Sequence, residues 1–144
     1  MNIELVRVDD GFHFEARGSS SDVTVHLDAA EGIGGANAGV RPMELLLMGL
    51  AGCSAIDVVL ILKKQRQDIQ DFRISVEGER VEEEGTKRKP FRKIHLHFKL
   101  KGTNLNAEKV NKAIALSMEK YCSATAQMEA LAEITFEATV TEDE

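Results

Sequence analysis

Residues 45–62 read LLLMGLAGCSAIDVVLIL, eighteen positions with a single charged side chain, Asp57. A run this apolar either crosses a bilayer or lies at the centre of a soluble fold. Eighteen residues is the lower edge of a spanning length, and a carboxylate past the middle costs roughly 2.5–3.5 kcal/mol on insertion scales. No aromatic belt flanks the run, and the rest of the chain is patterned as amphipathic soluble structure. The expectation is a central helix buried in protein on most sides, with no membrane association. Pro42 is a favoured first-turn residue, so the helix should run from Pro42 to about residue 67.

The flanks alternate with period two. Phe12, Phe14 and Ala16 share one strand face, as do Val23, Val25 and Leu27, and Asp9-Asp10-Gly11 and Gly18-Ser19-Ser20-Ser21 supply turns. The chain therefore opens with a three-stranded antiparallel meander. Residues 31–39 hold four glycines but match no phosphate-binding fingerprint, which leaves a plain flexible connection. After the central helix, Phe72, Ile74 and Val76 alternate, and so do Ile94, Leu96, Phe98 and Leu100. The acidic and basic halves of residues 82–90 would face each other across a hairpin tip. Asn106 can cap a helix over 107–121 with Val110, Ile114 and Met118 on one stripe. A short helix over 123–132 and a strand carrying Ile134, Phe136, Ala138 and Val140 complete the order βββ-α-ββ-αα-β. That order argues for one α+β domain over residues 1–144, with antiparallel sheets.

Composition narrows the function. A net charge of −6 without a basic stripe argues against nucleic acid and anionic membranes as partners. The N-terminus shows no basic segment leading into an apolar stretch, so no signal peptide is expected. Two cysteines without a secretion signal fit the reducing cytoplasm, where cysteines more often do chemistry than staple a fold.

Cys53 lies mid-helix and can be read as a small buried hydrophobe. Against that reading, Gly49 and Gly52 cost roughly 1 kcal/mol each relative to alanine and would permit close approach of another backbone or a ligand. Asp57 also shares the face of Cys53 one turn on. Cys122 stands at the junction of two helices, either as a buried junction residue or as a thiol whose thiolate the following helix would favour. The two cysteines are 69 residues apart, which excludes a CxxC redox motif and a zinc ribbon. His95 and His97 form an H-x-H on one strand face, and His13 and His26 lie on strands too. Two ligands without a third do not make a metal site, so no metal and no cofactor are expected.

The segment Arg41-Pro-Met-Glu-Leu-Leu-Leu-Met-Gly-Leu-Ala-Gly-Cys53 resembles the helix signature of the OsmC/Ohr family, the osmotically inducible and organic hydroperoxide resistance proteins. Glu119-Lys-Tyr-Cys122 resembles the second-cysteine site of that family, and Met43-Glu-Leu with Gly52-Cys-Ser-Ala-Ile-Asp57 looks closest to its YhfA-like branch. The resemblance covers nearly the whole chain. It implies an intertwined homodimer with paired central helices wrapped by two sheets. It also implies a thiol-dependent peroxidase in which Cys53 is oxidised by a small organic hydroperoxide, Cys122 resolves the product as a disulfide, and a cellular dithiol reduces it. The family's accessory carboxylate would be Glu44, and its activating arginine Arg41 or Arg17.

Glu44 precedes Cys53 by nine residues, a rotation of roughly 900° and about 13 Å along an ideal helix. It would therefore serve the partner's cysteine where two central helices cross, or stabilise its own first turn. Two further readings stay open: a non-catalytic dimeric module binding a small lipophilic molecule, and an oxidation-sensing thiol switch.

Overall fold

In a computed structural model of the chain, residues 1–143 are described, with side chains through residue 142. The chain divides into two compact units, Met1–Leu46 and Leu47–Glu144.

In the first unit, β1 (Ile3–Arg7), β2 (Phe14–Gly18) and β3 (Thr24–Leu27) form the expected antiparallel meander in the order β1-β2-β3. Asp9 makes the first turn by accepting from the N–H groups of Gly11 and His13. Phe12 falls before β2 and is exposed, so the strand face begins at Phe14.

The glycine-bearing loop is more ordered than a flexible connection. The buried carboxyl group of Asp28 accepts from Ala29, Ala36 and Ala38 N–H at 2.7, 3.0 and 3.0 Å. These bonds fold the loop around one acceptor, and they hold the Asp28 carboxyl below the usual carboxylate range, the Ala38 N–H contributing most. A Cβ at position 35 would sit 1.8 Å from the Ala29 carbonyl oxygen, so Gly35 is needed for that close pass.

The apolar run forms α1 (Pro42–Lys64). Glu44, in its first turn, reaches back to accept the Arg41 N–H at 3.0 Å, the carboxyl half of a capping box. The helix stops three residues before residue 67 because Arg66 turns left-handed, φ 57°. Arg66 and Gln67 then donate to the Lys63 and Leu62 carbonyls at 3.0 and 2.9 Å, a Schellman closure.

The second unit is built on β4 (Asp71–Arg80), β5 (Phe91–Thr103) and β6 (Glu133–Asp143), in the order β4-β5-β6. β4 and β5 pair antiparallel, and at their tip Glu83 pairs with Arg88 as the charge pattern expects. β6, however, pairs parallel to β5, from Lys93↔Glu133 to Thr103↔Asp143. This sheet is therefore mixed rather than antiparallel. The reason lies in the connection: α2 (Ala107–Leu116) and α3 (Ser123–Met128) carry the chain back to the end where β5 began.

Asn106 caps α2 by accepting the Lys109 N–H at 2.9 Å. Ile94, Leu96, Phe98 and Leu100 from β5, with Val110, Ile114 and Met118, are buried as the core. Phe72 stacks on Phe98, ring centroids 6.3 Å apart.

Within the single chain, α1 is covered on one side only. Along α1 only Leu50, Ser54, Val58 and Leu62 are buried, a single stripe at four-residue spacing. Only 22% of its apolar window is covered, and Ile56 and Leu60 are 71% and 52% exposed. By length and composition the helix could cross a membrane, but its covered stripe belongs to a protein core. Every face is apolar and this chain covers one of them.

Candidate functional site

The two cysteines, both free, come together within the second unit. Cys53 sits half-buried in α1, one position before the buried Ser54. Cys122 is placed by an irregularity: after Leu116 the chain leaves α geometry and makes a π turn, Ser117–Tyr121. The Cys122 N–H donates to the Ser117 carbonyl at 2.7 Å, five residues back instead of four. The expected continuous helix to residue 121 is thus an α-helix with a π turn at its end.

The Cys122 side chain is 4% exposed and lies near enough to the Cys53 thiol for the two sulfurs to interact. Its sulfur also caps α3, accepting the Thr125 N–H at 3.4 Å. Of the two readings of Cys122, the buried junction residue holds: its thiol is pushed up although a helix follows it. Burial is the largest cause, Thr125 opposes it through both its hydroxyl and its N–H, and the Cys53 sulfur adds to the rise. Removing a thiolate from water outweighs one N–H and a short helix. The proton therefore stays on Cys122, beside Cys53.

A polar bridge runs next to the pair. The fully buried Ser117 hydroxyl donates to Asp57 Oδ2 at 2.9 Å and lies 3.4 Å from the Ser54 carbonyl oxygen. Asp57, read as a sign that the Cys53 face is not simply core, is thus tied to the segment that ends at Cys122. Ser117 was missed because attention fell on its apolar neighbours. A serine beside Ile114 and Met118 at buried helical spacing was the available signal.

The charged candidates Glu44, Arg41 and Arg17 lie in the first unit. Glu44 caps α1, and the Arg41 guanidinium donates to the Gly39 carbonyl at 3.2 Å and to Asn37 Oδ1 at 2.9 Å. Arg17 is exposed on β2, opposite Glu4 and Thr24. His95 and His97 stand on the sheet face away from the core. They bond Thr135 and Thr139 at 2.7 and 2.8 Å and face Glu137 at 3.5 and 3.2 Å. Among the described residues no group of three His, Cys, Asp or Glu side chains is arranged to hold a metal ion.

Residues 34–137 match the family model described as OsmC-like protein. The chain belongs to the OsmC-like family. It is 46% identical over 94 residues to Protein YhfA of Escherichia coli strain K12, covering 65% of this chain and 68% of that one. The fold is shared with the OsmC-like protein of Mycoplasma pneumoniae, with a TM-score of 0.79 at 20% identity over 98% and 96% of the two chains. It is shared too with an organic hydroperoxide resistance protein OsmC from Legionella pneumophila, at TM-score 0.69 and 15% identity over 97% and 95%. Both cysteines fall inside the segment matched by the OsmC-like family model.

Proposed function

We propose that this OsmC-like chain works as one functional domain in a homodimer. Its activity is that of a cytoplasmic thiol-dependent peroxidase for small organic hydroperoxides, with Cys53 peroxidatic and Cys122 resolving. The observation that carries the reading is the approach of two free thiols to one another, Cys122 buried and Cys53 half-buried. The fold shared with a hydroperoxide resistance protein supports the substrate class.

In the first step the Cys53 thiolate attacks the peroxide. An S–O bond forms, the O–O bond breaks, and the alkoxide leaves and takes up a proton as the alcohol. In the second step the Cys122 sulfur attacks the sulfenic sulfur. The S–S bond forms, and hydroxide leaves with the Cys122 proton as water. A cellular dithiol returns both thiols by exchange. From the family resemblance, Arg17 or Arg41 would stand in for the activating arginine of the first step, and Glu44 would serve the cysteine of the partner subunit.

The uncovered faces of α1 support the dimer. Burying residues such as Ile56 and Leu60 is worth roughly 1.5–3 kcal/mol each, and a second α1 would supply the cover. Among the described residues nothing outside the helix's own backbone approaches the Cβ positions of Gly49 and Gly52 within 4 Å, so a second molecule is what would need them small. The test is catalytic consumption of an alkyl hydroperoxide with a dithiol reductant. Turnover lost in Cys53→Ser supports the reading, and equal turnover in that variant sinks it.

A second reading has its own observation. Arg41 and Glu44 already have partners at the start of α1, which fits a dimeric module that binds a small lipophilic molecule with inert cysteines. A Cys53 thiol that alkyl hydroperoxide leaves unoxidised would favour it. Rapid disulfide formation without reductant-coupled turnover would instead mark a thiol switch.

A further inference from the structure

We propose that Ser117 and Asp57 are positioning residues that set the Cys122 thiol against Cys53. The inference rests on the reading of the two cysteines as a redox pair and adds the device that holds their geometry.

The π turn is the first part of the argument. In continued α geometry the Cys122 N–H would reach the Met118 carbonyl; here it reaches Ser117, at 2.7 Å. That one-residue shift rotates everything after it by about 100° relative to an uninterrupted helix. A π turn is an uncommon conformation and persists where its surroundings hold it.

Ser117 is held from both ends. Its carbonyl takes the Cys122 N–H, and its hydroxyl donates to Asp57 Oδ2 at 2.9 Å, with the Ser54 carbonyl at 3.4 Å. Asp57 and Ser54 lie on the turn of α1 that carries Cys53, four residues and one residue away. One buried hydroxyl therefore joins the helical turn bearing the first thiol to the π turn that ends at the second. Neither residue needs to touch the peroxide, so neither is catalytic. Without the hydroxyl, Asp57 and the Ser54 carbonyl lose their tie to the turn, and segment 117–122 is free to relax to α register, carrying Cys122 away.

The experiment reads the pair itself, with the full-length chain in defined mixtures of reduced and oxidised glutathione. The parent protein forms the Cys53–Cys122 disulfide, and Ser117→Ala and Asp57→Ala lower its equilibrium constant at least about tenfold. Asp57→Asn keeps an acceptor and stays within about threefold of the parent. A kinetic split completes the test. After one equivalent of alkyl hydroperoxide, a cyclic diketone traps the Cys53 sulfenic acid in Ser117→Ala at the parental rate, while disulfide formation slows about tenfold.

Parental equilibrium constants in both alanine variants would overturn the proposal. So would an equal slowing of both kinetic steps, which marks a general structural defect. A parent inert to peroxide overturns the peroxidase reading alone, because the glutathione equilibrium still decides this one.

Discussion

Cys122 and Cys53, 69 residues apart in sequence, are neighbouring free thiols, and burial pushes the deeper of the two up. The pairing depends on a π turn at the end of α2, on a sulfur-capped α3, and on an α1 whose only covered stripe runs beside Cys53 through Leu50, Ser54, Val58 and Leu62.

The elevated Cys122 thiol has a signature on the alkaline side. Its folded-state value lies above the unfolded one, so its contribution to stability is complete below the unfolded value of about 8.5. That contribution is lost as pH rises through the folded value. Urea midpoints of the reduced protein should fall above pH about 8.5, and the decline should flatten in Cys122→Ala.

Asp28 acts on the acid side with the opposite sign. Its folded value is lowered, chiefly by the Ala38 N–H, so its stabilisation is complete above the unfolded value of about 3.9 and is lost as pH falls through the folded one. Thermal melts should show Asp28→Asn less stable than the parent at pH 7, with the gap closing towards acid. Hydrogen exchange at Ala36 and Ala38 should quicken in the same variant, since both N–H groups lose a charged acceptor.

At the end of α1, Arg66 holds a left-handed conformation that costs an L-residue roughly 1–2 kcal/mol. Arg66→Gly should raise stability by about 1 kcal/mol in urea unfolding, because the Schellman bonds at Lys63 and Leu62 stay in place. A loss of stability would show that the Arg66 side chain contributes more than the backbone strain costs.

The uncovered face of α1 makes an assembly prediction. Sedimentation should give a dimer for the parent, and Ile56→Glu should shift it to monomer by placing a charge where Ile56 is 71% exposed in the single chain. A monomeric parent at high concentration would contradict the homodimer.

How much of this was legible in the sequence follows from the range of each signal. The strand faces of Phe72 to Val76 and Ile94 to Leu100, the Asn106 cap and the order of elements are local patterns, and all appear where the periodicity puts them. The parallel pairing of β6 was not visible, because alternation identifies a strand without giving its direction. The degree to which this chain covers α1 was not visible for a related reason: an apolar run shows that a helix wants cover, and only three-dimensional packing shows how much one chain provides. The role of Asp28 was not visible because two of its N–H donors, Ala36 and Ala38, come from the far side of a loop. At the candidate site, the two cysteines could be named from their flanking residues, whereas Ser117 and the π turn depend on a contact between segments 60 residues apart.

The central claim is that Cys53 is the thiol that meets the peroxide and Cys122 the one that closes the disulfide. It is tested most directly by adding one equivalent of an alkyl hydroperoxide to the reduced protein and mapping the products by mass spectrometry. The expected result is an intramolecular Cys53–Cys122 disulfide in the parent, a sulfenic acid on Cys53 in Cys122→Ser, and no rapid oxidation in Cys53→Ser. A parent that forms no such disulfide, or a Cys53→Ser variant that reacts as fast as the parent, would contradict it.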